Sequence, residues 1–209
     1  MINALANGLG YLLELFYSWT GNYGVAIIFL VILVRIILYP LTHAQLRSIF
    51  LQQKIQPEIR KIQEKFKDDP QEMNKQIMIL YQQYKINPMM GCLPLLIQFP
   101  ILIALYQLLL HYKYTVTPSF LWMTDLTKPD YLILIIMAIV TYFSGALSSL
   151  SSAPEQKRQQ QIMNIFTTLL FTGMFLLYKV PAGVMLYWLV SSLFQLLQQY
   201  IVFRLHKEG

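Results

Sequence analysis

Acidic residues are missing from every long apolar run of this sequence, and cysteine occurs once, at Cys92. A single cysteine excludes an intramolecular disulfide. The motifs G-x-S-x-G and H-E-x-x-H are also absent, which removes the usual sequence signals of a serine hydrolase or a zinc protease. Only 12% of the 209 residues are charged, whereas 56% are hydrophobic. This composition indicates a membrane protein, because a soluble core does not need so much apolar surface.

Five apolar stretches are long enough, or nearly long enough, to cross a bilayer, which takes roughly 17 to 25 helical residues. They are residues 23–42, 91–110, 131–150, 162–178 and 181–203. The fourth is short and contains Thr168 and Thr172, which predicts either a tightly packed interior helix or a locally thinned bilayer. The predicted fold class is all-α: a polytopic membrane protein with a five-transmembrane-helix core, an amphipathic N-terminal interfacial helix and a cytoplasmic helical hairpin.

The distribution of Lys and Arg predicts how the chain is divided and oriented. The outer-leaflet helix is residues 1–20, the first span is 21–43 and the cytoplasmic hairpin is 44–90. The second span is 91–112, the extracytoplasmic loop is 113–130 and the third span is 131–152. The cytoplasmic loop is 153–161, the fourth span is 162–178, the fifth span is 181–203 and the cytoplasmic tail is 204–209. Most Lys and Arg lie in the hairpin, the short cytoplasmic loop and the tail, which are cytoplasmic by the positive-inside rule. We therefore expect a multi-pass protein of the cell (plasma) membrane, with its N-terminus outside and its C-terminus in the cytoplasm.

The first 20 residues have helical periodicity. Leucines and one phenylalanine recur on one face at Leu5, Leu9, Leu12, Leu13 and Phe16. This predicts an interfacial helix on the outer leaflet, and the alternative is a frayed extension of the first span. The segment has no basic n-region and no cleavage site of the signal-peptide type, so we expect it to remain in the mature chain.

Two amphipathic helices are predicted between the first and second spans. Apolar residues repeat at steps of three and four at Ile55, Ile59, Ile62 and Phe66, and again at Met73, Ile77, Leu80 and Tyr84. At the break, Asp69 is the predicted N-cap, Pro70 the first helical residue and Glu72 the carboxylate of a capping box. The pair reads as a hairpin that is mobile relative to the membrane part. It is either a solvated structural element or a docking surface for a partner.

Arg35 lies inside the apolar run VAIIFLVILVRIILYPL. Counted between Trp19 and Tyr23 at one end and Tyr39 at the other, it falls roughly 6 Å from the middle of the span, at about 1.5 Å per residue. A charge at this depth is a functional-site hypothesis by default. No Asp or Glu occurs in any predicted span, so the guanidinium needs water, amides, hydroxyls or aromatic rings as interaction partners.

Stripes of polar residues in the spans could supply these interaction partners. They are Tyr39 and Thr42 on the first span, Gln98 on the second, Thr141, Ser144 and Ser148 on the third, and Trp188, Ser191, Ser192, Gln195 and Gln199 on the fifth. Each stripe alone is more typical of helix packing than of function. Together with Arg35 they predict a hydrated, positively charged cavity that opens toward the cytoplasm.

Three functions of such a cavity are considered. Residues 25–33 and 131–138 are almost entirely apolar, so the outer side is sealed, which disfavours a small channel or transporter subunit, the alternative reading. An intramembrane hydrolase would need a nucleophile that the motifs do not provide. A transient binding site for a passing polypeptide fits best, and no cofactor, metal or direct contact with nucleic acid is expected.

The sequence resembles the YidC, Oxa and Alb family of membrane protein insertases over essentially its whole length. The segments that carry the resemblance are Arg-Ile-Ile-Leu-Tyr-Pro-Leu-Thr at 35–42, Asn-Pro-Met-Met-Gly-Cys-Leu-Pro at 87–94 with Gln-Phe-Pro at 98–100, Phe-Leu-Trp-Met-Thr-Asp-Leu at 120–126, and Pro-Ala-Gly-Val-Met-Leu-Tyr-Trp at 181–188. In this order and at this spacing they are highly specific.

The resemblance implies an insertase and chaperone that is not an enzyme. In it, Arg35 carries the positive charge of a groove open to the cytoplasm and the lipid, Gln98 and Trp188 line the groove, and the hairpin is required for activity. The acidic outer tail of a substrate enters the groove while its apolar segment slides along the third and fifth spans. The implied partners are nascent membrane proteins and the lipid bilayer, with the translating ribosome, the signal recognition machinery and the Sec translocon as further candidates.

The chain departs from the family pattern in three places. The segment after Phe203 is short, so tail-mediated ribosome binding is not expected. The sequence has no large extracytoplasmic domain and no lipoprotein-type start, which predicts a bacterium without an outer membrane as the source. Ser192 stands where family members usually carry an asparagine, so the role of that position is open.

Overall fold

The computed structural model describes residues 2–87, 93–112, 114–149 and 154–207, and these residues form α-helices joined by loops, with one isolated β-bridge and no strand. The helices are α1 Ile2–Thr20, α2 Tyr23–Lys54, α3 Gln56–Lys65, α4 Pro70–Gln83, α5 Leu93–His111, α6 Tyr131–Ser149, α7 Pro154–Leu177 and α8 Ala182–Lys207. The predicted all-α class is confirmed. Cys92 and most of the 87–94 motif lie outside the described residues.

A tight break separates α1 from α2. Gly21 adopts a left-handed φ of +65°, and Asn22 caps α2 by accepting hydrogen bonds from the backbone N–H groups of Gly24 and Val25. α1 is therefore a separate helix and not a frayed extension of the first span. Its face toward the core consists of Ala6, Leu9, Leu13 and Phe16. Its position on the outer leaflet remains a prediction.

α2 is one continuous helix of 32 residues with Pro40 inside it. The predicted boundary at residue 43 is not a helix end, because hydropathy marks where apolar side chains stop and not where backbone hydrogen bonding stops. Tyr23, expected to be an interfacial anchor, is buried, and its ring stacks on that of Tyr17 at a centroid distance of 3.9 Å. Trp19 is exposed, as an anchor would be.

Two described segments are long and apolar enough to cross a membrane, Tyr23–Lys54 and Gln160–Leu177, while Leu96–His111 and Tyr131–Leu147 are apolar but shorter. α7 begins at Pro154, so the predicted loop 153–161 is largely helical and the fourth span belongs to a helix of 24 residues. Proline suits this first position, where its missing N–H costs nothing. The five-span division stays a prediction.

α3 and α4 form the predicted helical hairpin. Its seam consists of the buried residues Ile55, Ile59, Leu80 and Ile86. Asp69 accepts hydrogen bonds from the backbone N–H groups of Gln71 at 3.2 Å and Glu72 at 3.1 Å, and Pro70 is the first residue of α4. Both end signals were predicted from the sequence and are confirmed.

The second half of the predicted capping box does not form. The Glu72 carboxylate accepts hydrogen bonds from Lys75 at 3.3 Å and Gln76 at 2.8 Å. The Glu72 carboxylate does not accept a hydrogen bond from the Asp69 N–H, because that N–H donates to the Phe66 carbonyl at 3.0 Å. The acidic turn is thus closed by its own backbone.

The loop after α5 holds the start of α8. The Leu126 carbonyl accepts a hydrogen bond from the Gly183 N–H at 2.9 Å, and the Lys128 carbonyl accepts one from the Ala182 N–H at 2.8 Å. These are N–H groups that the first turn of a helix otherwise leaves unpaired. α8 therefore enters the core at a fixed register, which positions Tyr187 one and a half turns further along.

Asp125 gives this loop a pH dependence. Partial burial raises the pKa of its carboxyl, but hydrogen bonds from the N–H and hydroxyl of Thr127, at 3.0 and 2.6 Å, and the Lys128 ammonium at 3.1 Å outweigh it, so the pKa is lowered. A lowered folded-state pKa stabilises the loop above the unfolded value, about 3.9, and this stability is lost as the pH falls through the folded value. We expect the protection factor of the Gly183 amide, which compares its exchange rate with that of an unstructured amide at the same pH, to fall in acid. Asp125→Asn should show about 1 kcal/mol less protection at neutral pH and little further loss in acid.

α8 is the central helix of the bundle. It packs against α2, α5 and α6, while α6 also packs against α7 and α1 packs against α2 and α5. Its first turns are fully buried, and Tyr187 is among the largest fully buried side chains. α5 and α7 face each other across an open cleft.

Gly145 allows a close approach between α6 and α7. A Cβ at this position would overlap the side chain of Asn164, whose Nδ2 donates to the Tyr142 carbonyl at 2.9 Å. Gly145→Ala is expected to lower the free energy of unfolding in detergent by about 1 to 3 kcal/mol. Gly173→Ala is the matched control on α7, because a Cβ there meets nothing within 4 Å. Equal unfolding of the two variants would contradict the predicted clash.

Candidate functional site

A cleft of about 330 Å³ lies between α2 and α5 and contains Arg35. We call it the arginine cleft, and it is lined by Arg35, Leu38, Leu41, Thr42, Gln45, Ile97 and Gln98. Arg35, Leu38, Thr42 and Gln45 follow one another at steps of three, four and three, so one face of α2 supplies the wall. This face runs from the guanidinium toward the cytoplasmic end of the helix in the predicted orientation.

The cleft is electropositive. None of the described residues that line it is an Asp or a Glu. Gln98 donates a hydrogen bond from Nε2 to the hydroxyl of Tyr187 at 3.2 Å, and Tyr187 lies close enough to Arg35 for an electrostatic interaction. Arg35 therefore has a neutral, polar neighbourhood, in which its charge is not cancelled by an ion pair.

A second, larger cleft lies between α5 and α7 and is open to the surroundings. We call it the apolar cleft, and it is lined by Phe99, Leu102, Ile103, Tyr106, Met174, Phe175, Tyr178, Val180 and Val184. Among the described residues that line it, the only side-chain oxygen or nitrogen atoms are the two tyrosine hydroxyls. Its character is that of a surface that a hydrophobic helix or a lipid chain would cover.

A small cavity of about 160 Å³ connects the two clefts through shared lining residues. It is bounded by Gln98, Phe99, Leu102, Phe171 and Trp188. Gln98 also lines the arginine cleft, while Phe99 and Leu102 also line the apolar cleft. The Trp188 ring lies between those of Phe171, at a centroid distance of 4.9 Å, and Phe175, at 5.8 Å. The molecule thus presents adjoining surfaces that lead from a cation to a mostly apolar wall.

Several buried polar atoms of the membrane helices, Trp188 Nε1 in the small cavity among them, have no hydrogen-bond partner among the described residues. They are Trp188 Nε1 and the hydroxyls of Thr141, Thr168 and Thr172. An unsatisfied polar group costs about 1 to 3 kcal/mol when it is buried. Such groups favour an interior in which water or a bound chain supplies the missing hydrogen bonds.

The structure brings some of the sequence-predicted site residues together. Arg35 and Gln98 line the arginine cleft, and Trp188 lines the adjoining cavity. Thr141 and Ser144 are at least partly buried on α6 and line neither cleft.

The remaining predicted residues lie elsewhere. Tyr39 is half exposed on α2 beside His43, at a ring distance of 6.0 Å, because it lies on the side of Arg35 opposite to Leu38, and the cleft opens on the Leu38 side. Ser192 is partly buried and Gln195 is exposed on α8. Gln198 makes the contact with α2, donating to the Thr42 hydroxyl at 3.4 Å.

Sequence reasoning missed Gln45 and Tyr187. Gln45 could have been found by extending the three-and-four spacing from Arg35, but it lies beyond the predicted end of the first span. Tyr187 carried no signal, because a tyrosine in an apolar helix is ordinary.

The chain was compared with known proteins. The family model described as "60Kd inner membrane protein" matches residues 15–208. A membrane protein insertase YidC of Geobacter sulfurreducens is 38% identical over 203 residues, covering 96% of this chain and 37% of that protein. The YidC of Shewanella loihica is 41% identical over 209 residues, covering 98% of this chain and 38% of that protein.

A solved structure, described as an active YidC insertase crystal structure with the first transmembrane domain resolved, matches with a TM-score of 0.74 at 30% identity. The match covers 95% of this chain and 46% of that one. The chain spans just over a third of the length of the curated relatives it matches. With a family match over nearly its whole length, the chain is a helical membrane protein and belongs to the 60Kd inner membrane protein family, that of the YidC insertases.

Proposed function

We propose that this chain inserts membrane proteins into the bilayer by receiving their polar tails in the arginine cleft. The observation that carries the proposal is a cation in a cleft whose described lining contains no acidic side chain. A buried charge without an ionic partner is costly, so the protein gains when an acidic group or water approaches it. An acidic tail of a substrate supplies such a group.

The cleft shortens the apolar distance that a polar tail must cross. A charged group at the centre of a helix in a bilayer costs about 2.5 to 3.5 kcal/mol on insertion scales. Arg35, Thr42, Gln45 and Gln98 offer hydrogen bonds along part of that depth. The tail therefore exchanges some of its lost hydration for protein contacts before it reaches lipid.

We place the path of the apolar segment in the apolar cleft between α5 and α7. These helices correspond to the second and fourth predicted spans. The fifth predicted span, α8, contributes Val184 to the wall of this cleft, whereas no described residue of α6, the third predicted span, lines it. Because Gln98 and Phe99 lie at the junction of the two clefts, one substrate can contact both.

The proposed partners are nascent membrane proteins and the lipid bilayer. The hairpin of α3 and α4 carries exposed Met78 and Ile79 beside many charges, and a ribosome, a targeting factor or the translocon are candidates to contact it. Cleavage of the hairpin by a protease should slow when the true partner is added, and unchanged cleavage would count against docking.

The proposal is tested by reconstitution of the purified chain into vesicles. A single-span substrate with an acidic outer tail is synthesised in the presence of the vesicles. Protection of that tail from an external protease is then measured. Protection well above that in empty vesicles is expected. Protection equal to that in empty vesicles would contradict the proposal.

A further inference from the structure

The turn at residues 120–123 sends its side chains in two directions. Phe120 and Met123 exchange backbone hydrogen bonds, each N–H donating to the other's carbonyl at 2.9 Å. Phe120 packs so closely on Gly24 of α2 that a Cβ there would overlap its ring, and Met123 is 2% exposed in the core. Leu121 and Trp122 form the tip, where they are 74% and 44% exposed. Two large apolar side chains are thus held outside the protein by the buried Met123 and the partly buried Phe120.

Leu121 adopts a backbone conformation that does not suit it. Its φ of +51° lies in the left-handed region, which glycine or asparagine occupies at little cost and leucine does not. A turn in water would gain from glycine here, both by relieving the backbone and by removing exposed apolar surface. A leucine is favoured only where its side chain is covered by an apolar environment.

Trp122 is oriented by its one polar atom. Its Nε1 donates to Oδ1 of Asp130 at 3.4 Å, and the same oxygen caps α6 by accepting from the Ile133 N–H at 2.9 Å. The indole is therefore fixed beside the start of α6 with its N–H engaged by the protein. A tryptophan with a satisfied N–H and an exposed ring is typical of the membrane interface.

Other exposed aromatic residues mark the same end of the bundle. Trp19 is the last residue but one of α1, Tyr131 begins α6, and Tyr178 follows α7, and all three are largely exposed. The loop belongs to this end because Asn22, at the start of α2, donates to the Ser119 carbonyl at 3.2 Å. Exposed aromatic residues at the ends of several helices form the belt that lies at the level of lipid headgroups.

We infer that the Leu121–Trp122 turn is a lipid anchor, seated in the boundary between headgroups and acyl chains of the leaflet at this end of the bundle. In the predicted orientation this is the outer leaflet. The same loop holds the first N–H groups of α8 through Leu126 and Lys128, so the anchor sets the depth of α8 in the bilayer. The inference does not depend on the insertase proposal.

The test places a nitroxide label on the turn. Leu121→Cys and the control Thr117→Cys, an exposed polar position of the same loop, are made in a Cys92→Ser background, labelled, and reconstituted into vesicles of phosphatidylethanolamine with a minor share of phosphatidylglycerol. Relaxation by oxygen reports lipid, and relaxation by a water-soluble nickel chelate reports water. We expect the ratio of oxygen to nickel accessibility at residue 121 to be several times that at residue 117.

Two results would overturn the anchor. A label at residue 121 as accessible to nickel as that at 117 would put the turn in water, and a label shielded from both reagents would mean that a protein covers it. The native Trp122 provides a readout that leaves the turn unaltered. In a Trp19→Phe, Trp188→Phe variant, lipids brominated near the headgroup end of the acyl chain should quench its fluorescence, and unquenched emission would equally refute the inference.

Discussion

Reversing the charge of Arg35 is expected to abolish most insertion of substrates with acidic tails, whereas Arg35→Lys keeps most of it. Arg35→Glu turns attraction into repulsion in a cleft whose described lining has no other acidic or basic side chain to compensate. We expect the initial rate of tail protection in vesicles to fall by on the order of tenfold or more, equivalent to about 1.4 kcal/mol per tenfold step. Lysine preserves the charge but loses the planar array of donors, so a few-fold loss is expected.

Arg47→Glu is the matched control for this charge reversal. Arg47 lies on the same helix, is exposed, and lines neither cleft. The control should insert acidic-tailed substrates at close to the wild-type rate. Equal rates for Arg35→Glu and Arg35→Lys would refute the electrostatic role and leave Arg35 only the task of hydrating the cleft.

A carboxylate in the apolar cleft is expected to block insertion even when Arg35 is intact. Ile103 lines this cleft on α5, so Ile103→Glu puts a charge on the surface that the apolar segment of a substrate would cover. We expect a loss on the order of tenfold in protected substrate, because desolvating the charge opposes contact with an apolar helix by a few kcal/mol.

Ile139→Glu separates this effect from the general cost of a charge facing lipid. Ile139 is an exposed apolar residue of α6 that does not line the cleft. Both variants bear the same charge on a membrane helix, and only Ile103→Glu should lose insertion after correction for the amount of reconstituted protein. Equal loss in both variants would place the substrate path elsewhere.

The sequence alone predicted the local features well. The hairpin, the Asp69 cap and the first-position Pro70 depend on signals within a few residues, and the structure has all of them. The association of Arg35 with Gln98 was also predicted, because a buried charge without acidic company has few neutral partners to choose from. In such cases the chemistry of one or two residues limits which local structures or contacts can form.

Features that depend on helix ends and helix neighbours were harder to predict. Hydropathy placed the end of the first span at residue 43 and the start of the fourth span at residue 162. The helices α2 and α7 extend beyond these span limits as polar helices. Tyr39 lies one residue away from Leu38 but is turned by about 100° on the helix, which takes it out of the arginine cleft. The apolar cleft depends on α5 and α7 standing apart, and no periodicity within either helix contains that information.

The connection between the two clefts gives the structure its mechanistic interest. In the proposed function, a substrate held with its acidic end near Arg35 would have its following residues at Gln98 and Phe99, and its apolar segment beside Ile103 and Met174. No energy source is needed on this path if the apolar burial in lipid, about 25 cal/mol per Å², exceeds the cost of moving the tail. The role that we propose for Arg35 is to lower the cost of moving the tail.

The most direct measurement of this account is site-specific photo-crosslinking from α2 to the tail of an insertion intermediate. A photoreactive residue replaces Leu38, which lines the arginine cleft, or its neighbour Ile37, which lies at the same depth but is 65% exposed and lines neither cleft. The account predicts that residue 38 crosslinks to the acidic tail and residue 37 does not. Crosslinking from residue 37 alone, or from neither position while insertion proceeds, would contradict the claim that the cleft receives the tail.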